Sequence, residues 1–81
     1  MTKAEALRKE YEARVNKAID FVYANCGRDF DLDEMADAAC FSRFHFHRIF
    51  HAFSGETQRE FVKRVRLEKA AALLRNDPRN D

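Results

Sequence analysis

Residues 31–53 read DLDEMADAACFSRFHFHRIFHAF. Two helix starts lie inside this stretch. Asp31-x-x-Glu34 is a capping box, with Phe30 and Met35 placed to close a hydrophobic staple over it. Ser42 is a second N-cap, with Phe41 and Phe46 at the same staple positions. A short helix over about residues 31–38 is therefore followed, after a brief link, by a helix over about residues 42–53. That is helix-turn-helix spacing. Ala36 supplies a small residue where the two helices cross, and Phe46 supplies the buried residue on the second. The turn prefers glycine four residues after that alanine, and Cys40 stands there instead. Either Cys40 takes a positive φ, at a cost of about 1 kcal/mol, or the turn departs from the usual form.

Two further helices flank the pair. Apolar residues at 4, 7, 11, 15, 18, 19 and 22 fit one long amphipathic helix over about residues 3–25. Thr2-x-x-Glu5 opens it, and Gly27 offers a left-handed stop after Cys26. Thr57-x-x-Glu60 opens a fourth helix over about residues 57–75, expected to end near Asn76, just before Asp77-Pro78. With two glycines and one proline there are few strand turns and no glycine-rich phosphate loop. The expected fold is all-α, a single small helical domain of four helices over residues 1–81.

Eighty-one residues form one small domain at most. The longest apolar run, Ala70 to Leu74, is far too short to span a membrane, and the charged first ten residues do not read as a signal peptide. Cys26 and Cys40 lack metal-ligand spacing, which fits a reduced, cytoplasmic protein. Net charge is +1, but its distribution is uneven. Residues 1–41 hold six basic and nine acidic residues, whereas residues 42–69 hold seven basic and three acidic. The basic middle segment points to an anionic partner.

On a helical count of about 100° per residue, Phe46, Ile49, Phe50 and Phe53 share a core-facing wedge. Phe44, His47, Arg48 and His51 fall on the opposite side, with Arg43 at its edge. A phenylalanine on a polar, basic face has no packing reason to be there unless a partner covers it. The composition suits a DNA major groove. Arg48 or Arg43 can fork onto guanine O6 and N7, His47 can meet a base edge, and Phe44 can meet a thymine methyl. Residues near the helix N-terminus reach bases first, so His51 is assigned to backbone phosphate. His47 and His51 could share a metal, but that face offers no third or fourth ligand, so no metal or cofactor is expected. Enzyme chemistry finds no support either: a Cys40–His45 pair would lack an oxyanion loop.

The runs LDEMADAACFSRFHFHRIF, SGET and REFVKRVRLEKAAALL resemble the AraC/XylS family of bacterial transcription regulators. The resemblance covers about residues 11–78 and is carried by Ser-x-x-His-Phe-x-Arg-x-Phe and Arg-Leu-x-x-Ala. It corresponds to the first helix-turn-helix unit of that family's homeodomain-like DNA-binding domain, plus the linker helix. It implies double-stranded DNA as partner, RNA polymerase as a second one, and base contacts from Arg43, Phe44, His47 and Arg48. Cys40 stands where the family usually has glycine, and Gln58 where it often has proline. The second helix-turn-helix unit, expected after Asp81, is absent from the chain, as is an effector domain.

The fourth helix carries a related expectation. Phe61, Val62 and Val65 lie on one side of its first half, and Leu67, Ala70, Leu73 and Leu74 nearly opposite on its second. Such a helix serves two cores, and the second stripe is a candidate for self-association. The competing reading is a protein-interaction module, in which the basic face of helix 42–53 docks an acidic partner.

Overall fold

A computed structural model describes residues 1–75, and among them there are four helices and no strands. They are α1 (Lys3–Asn25), α2 (Leu32–Ala38), α3 (Arg43–Ser54) and α4 (Gln58–Arg75). The protein is all-α. The expected helix end near Asn76 lies outside the described residues.

Each helix begins on a side-chain cap. The Thr2 hydroxyl accepts from Glu5 N–H at 3.1 Å, and the Ser42 hydroxyl accepts from His45 N–H at 3.2 Å. Asp31 and Glu34 form a full capping box, with both reciprocal bonds present at 2.9 and 3.0 Å. Thr57 and Glu60 do the same at 3.1 and 3.0 Å. Each bond satisfies one of the orphan N–H groups of a first helical turn.

The helix ends differ from one another. Gly27 does not act as the left-handed stop of α1: Cys26 is right-handed, with φ −64°, and the only glycine with positive φ among the described residues is Gly55. The end of α1 is finished by local bonds that need no such residue. Asn25 Nδ2 donates to the Phe21 carbonyl at 2.8 Å, and Arg28 N–H donates to the Asn25 carbonyl at 3.0 Å. Gly55 does close α3, with φ 77° and its N–H on the His51 carbonyl at 2.9 Å.

Between α2 and α3, Cys40 takes the first of its two alternatives, with φ 61°. Its N–H donates to the Asp37 carbonyl at 2.9 Å, and Phe41 N–H donates to the Ala36 carbonyl at 3.1 Å. These two bonds make a Schellman end to α2, whose C′ residue must be left-handed. The strain at Cys40 is held in place by them.

The core runs through the motif. Val15, Ala18 and Val22 of α1 pack with Met35, Ala36 and Ala39, with Phe46 and Phe50 of α3, and with Phe61, Val62 and Val65 of α4. An aromatic series threads it: Phe41 to Phe46 at 6.3 Å, Phe46 to Phe50 at 5.5 Å, and Phe50 to Phe61 at 5.4 Å between ring centroids. Ile49 and Phe53 are partly buried against the same cluster. At its N-terminal end α1 overruns the core, since Ala4 and Leu7 lie on the apolar stripe yet are exposed. The second half of α4 does likewise, with Leu67 61% and Leu73 66% exposed.

Candidate nucleic-acid interface

Burial of Phe46 and Phe50 turns the other side of α3 outward. Arg43, Phe44, His47 and Arg48 are brought together there, lining a shallow groove of about 500 Å³ with Leu32 of α2 and Gln58 of α4. Phe44 is 74% exposed. The Arg43 guanidinium lies 5.0 Å from the Phe44 ring centre, and its Nε lies 3.6 Å from Asp33 Oδ1 across the motif. Both members of that ion pair are more than half exposed, so it holds Arg43 only weakly. Arg48 has no ion-pair partner among the described residues.

The other two histidines stand apart from this groove. His51 lies in the last turn of α3, where its charge adds slightly to the lowering of the Glu60 carboxyl. The largest cause of that lowering is the Thr57 backbone N–H, followed by the Thr57 hydroxyl. His45 is packed on the flank, its ring 4.9 Å from Phe41 and 5.7 Å from Tyr11. Among the described residues no three His, Cys, Asp or Glu side chains gather as metal ligands, and no helix is long and apolar enough to cross a membrane.

Two positions that matter here escape a reading of the face of α3 alone. Arg14 of α1 reaches over the turn: Nε donates to the Ala39 carbonyl at 2.9 Å, and a terminal nitrogen donates to the Cys40 carbonyl. Its guanidinium carbon lies over Phe41, 3.8 Å from the ring centre. The turn that sets the angle of α3 is thus tied to α1 by one side chain. Gln58 is 3% exposed, and its Nε2 is buried with no hydrogen-bond partner among the described residues. Both had a sequence signal. Arg14 falls on the stripe of Tyr11, Val15 and Ala18, and Gln58 on that of Phe61, Val62 and Val65. A polar residue on an apolar stripe needs a partner.

The cations of the middle segment divide by what they touch. Arg64 is held by Glu56 at 2.7 Å and Glu68 at 2.8 Å, and Arg66 donates to the Arg28 carbonyl at 3.1 Å. Arg48, Arg59, Lys63 and Lys69 have no ion-pair partner among the described residues. The free positive charge therefore lies on the outer side of α3 and along α4.

The chain is similar to two curated bacterial proteins. One is the uncharacterized HTH-type transcriptional regulator YbfP of Bacillus subtilis, 33% identical over 64 residues, which are 79% of this chain and 22% of that protein. The other is an uncharacterized HTH-type transcriptional regulator of Haemophilus influenzae, with the same identity, length and coverage. The chain spans about a fifth of the length of these relatives. It matches no family model and no solved structure.

Proposed function

We propose that this chain is a DNA-reading unit of an AraC/XylS-type transcription regulator, acting in the cytoplasm and placing α3 in the major groove of double-stranded DNA. The observation that carries the reading is Phe44. It is an exposed aromatic flanked by Arg43, His47 and Arg48 on one side of a helix whose other side is core. The similarity to two proteins named as HTH-type transcriptional regulators supports it.

The roles follow from chemistry. Arg48, with no ion-pair partner among the described residues, offers its fork to guanine O6 and N7. Phe44 meets a thymine methyl, and His47 donates to or accepts from a base edge. Arg43 exchanges its weak pairing with Asp33 for a base or phosphate, and His51, further along α3, meets backbone phosphate.

The test is a titration of duplex DNA against the protein and two variants. Binding by this one unit is expected at about micromolar affinity or weaker, with marked salt dependence. Arg48→Ala relaxes preference at one base position by about 1–3 kcal/mol. Lys63→Ala weakens all sequences alike. Absence of duplex binding at low salt refutes the reading. Equal losses on specific and random duplexes for Arg48→Ala remove its base contact, and favour a surface that needs only bulk and charge, as for an acidic protein partner.

A further inference from the structure

Gln58 presents an imbalance that the fold itself does not resolve. It is the first residue of an 18-residue helix, a position where a side chain with no polar atoms, or proline, satisfies the backbone equally well. Instead the chain buries an amide there, to 3% exposure, and leaves its Nε2 without a partner among the described residues. Buried polar groups without partners are uncommon in native proteins, because each carries a desolvation cost.

The surroundings say what kind of partner would fit. Gln58 lines a cavity of about 160 Å³ together with Leu32, His47, Thr57 and Arg59, and it also lines the groove beside Phe44 and Arg48. The cavity sits at the N-terminus of α4. In that first turn the Thr57 and Glu60 N–H groups are consumed by the reciprocal cap. The N–H groups of Gln58 and Arg59 have no hydrogen-bond partner among the described residues. His47, Gln58 and Arg59 thus line one cavity at the positive end of a helix, beside two backbone donors that are free among the described residues. All can donate to one small, multiply accepting anion. The terminal torsion of glutamine is soft, so Nε2 can turn into the cavity without disturbing the buried stem.

We infer that this cavity takes one backbone phosphate of the bound DNA, with Gln58 as the residue that fixes its place. The inference rests on the DNA reading above and deepens it. With α3 in the major groove, a phosphate on Gln58, Arg59 and the α4 N-terminus lies just beyond the base-contacting face. It sets the depth and register of α3 without reading sequence.

The experiment uses this chain with a mixed-sequence duplex and, separately, inorganic phosphate. On adding duplex, the Gln58 side-chain amide and the Gln58 and Arg59 backbone amides are expected to shift together in a proton–nitrogen NMR spectrum. Gln58→Leu removes the orphaned amide, so its melting temperature should rise while its duplex affinity falls about tenfold on every sequence. A purely structural glutamine would not move these two readouts in opposite directions. Gln58→Glu, which keeps the shape and repels phosphate, should lose more, and most at low salt. If the duplex binds but Gln58→Leu binds equally well and the three amides stay still, the inference fails and the DNA reading stands. If no duplex binds, both fail. If inorganic phosphate saturates the cavity as tightly as duplex does, the site serves a free anion and the assignment to DNA is overturned.

Discussion

Replacing Arg14 by alanine should loosen the helix-turn-helix more than any change on its reading face. The side chain makes two hydrogen bonds to the turn, on the Ala39 and Cys40 carbonyls, and covers Phe41 at 3.8 Å. Hydrogen bonds to a charged group each contribute about 1.5–3 kcal/mol when desolvated. The Arg14 side chain is 25% exposed, so the lower end applies, with about 0.5–1 kcal/mol more from the cation over the ring. Part of this is recovered in the variant when water reaches the freed carbonyls, which leaves a net loss of about 2–3 kcal/mol. A domain of 81 residues has a total stability of about 4–12 kcal/mol, so the loss is a sizeable fraction of it. The melting temperature should fall by about 10–20 °C, read by circular dichroism, with a matching drop in the urea midpoint. Arg14→Lys keeps the charge but cannot fork onto two carbonyls, and should recover less than half of the loss. If Arg14→Ala stays within about 0.5 kcal/mol of the parent, or lysine restores everything, the clamp does not set the turn.

Other perturbations act at the turn, on α4 and at its N-terminal cap. Cys40→Gly relieves a side chain from φ 61° and should stabilise by up to about 1 kcal/mol in urea unfolding, while a destabilised variant would show that the thiol has a role of its own. The exposed stripe of Leu67, Ala70, Leu73 and Leu74 is proposed to pair two copies of the chain, because burial of apolar surface stabilises by about 25 cal/mol per Å². The double variant Leu67→Glu with Leu73→Glu should then sediment as monomer at concentrations where the parent associates, and a parent that is monomeric throughout rejects the pairing. The Glu60 carboxyl is held below its usual value of 4.5 by the Thr57 bonds, so the stability it supplies is complete above that value. That stability is lost as pH falls through the lowered value, and Glu60→Gln should flatten the acid limb of the stability–pH curve over this window. An unchanged acid limb would assign the slope to other carboxylates.

The helix starts were legible in the sequence because their causes are local. Thr2, Asp31, Ser42 and Thr57 each bond a residue three positions on, so composition and spacing are enough. The outward placement of Phe44 followed from period alone, since Phe46, Ile49, Phe50 and Phe53 take the core wedge of α3 and Phe44 falls opposite them. Helix ends were less legible. Gly27 can adopt a left-handed conformation but is not required to, once the Asn25 side chain supplies the local closure. Period also cannot say where a stripe loses its partner, which is why Leu7 is half exposed on the same face as buried Val15. The partners of Arg14 lie 25 and 26 positions away, and no local rule links them.

The charge of this chain is better understood by what each cation already holds than by its sum. In the middle segment Arg64 and Arg66 are occupied by protein acceptors, and Arg43 leans on Asp33. A cation that keeps an internal carboxylate releases no counterion on meeting DNA, because its charge is already balanced, whereas Arg66, held by a neutral carbonyl, keeps its full charge. Among the described residues Arg48, Arg59, Lys63, Arg66 and Lys69 have no carboxylate partner there, and Arg48 is assigned to a base. The phosphates neutralised by this segment should therefore number about four, giving a slope of about −3.6 for the logarithm of affinity against the logarithm of salt concentration. All seven basic residues of residues 42–69, counted without regard to partners, would give about −6. Removing Glu56 and Glu68 together frees Arg64 and should steepen the slope by about one unit, whereas Arg59→Ala should flatten it by the same amount. A parent slope near −6, or a slope indifferent to the loss of those two glutamates, would show that internal pairing does not decide which cations meet the backbone.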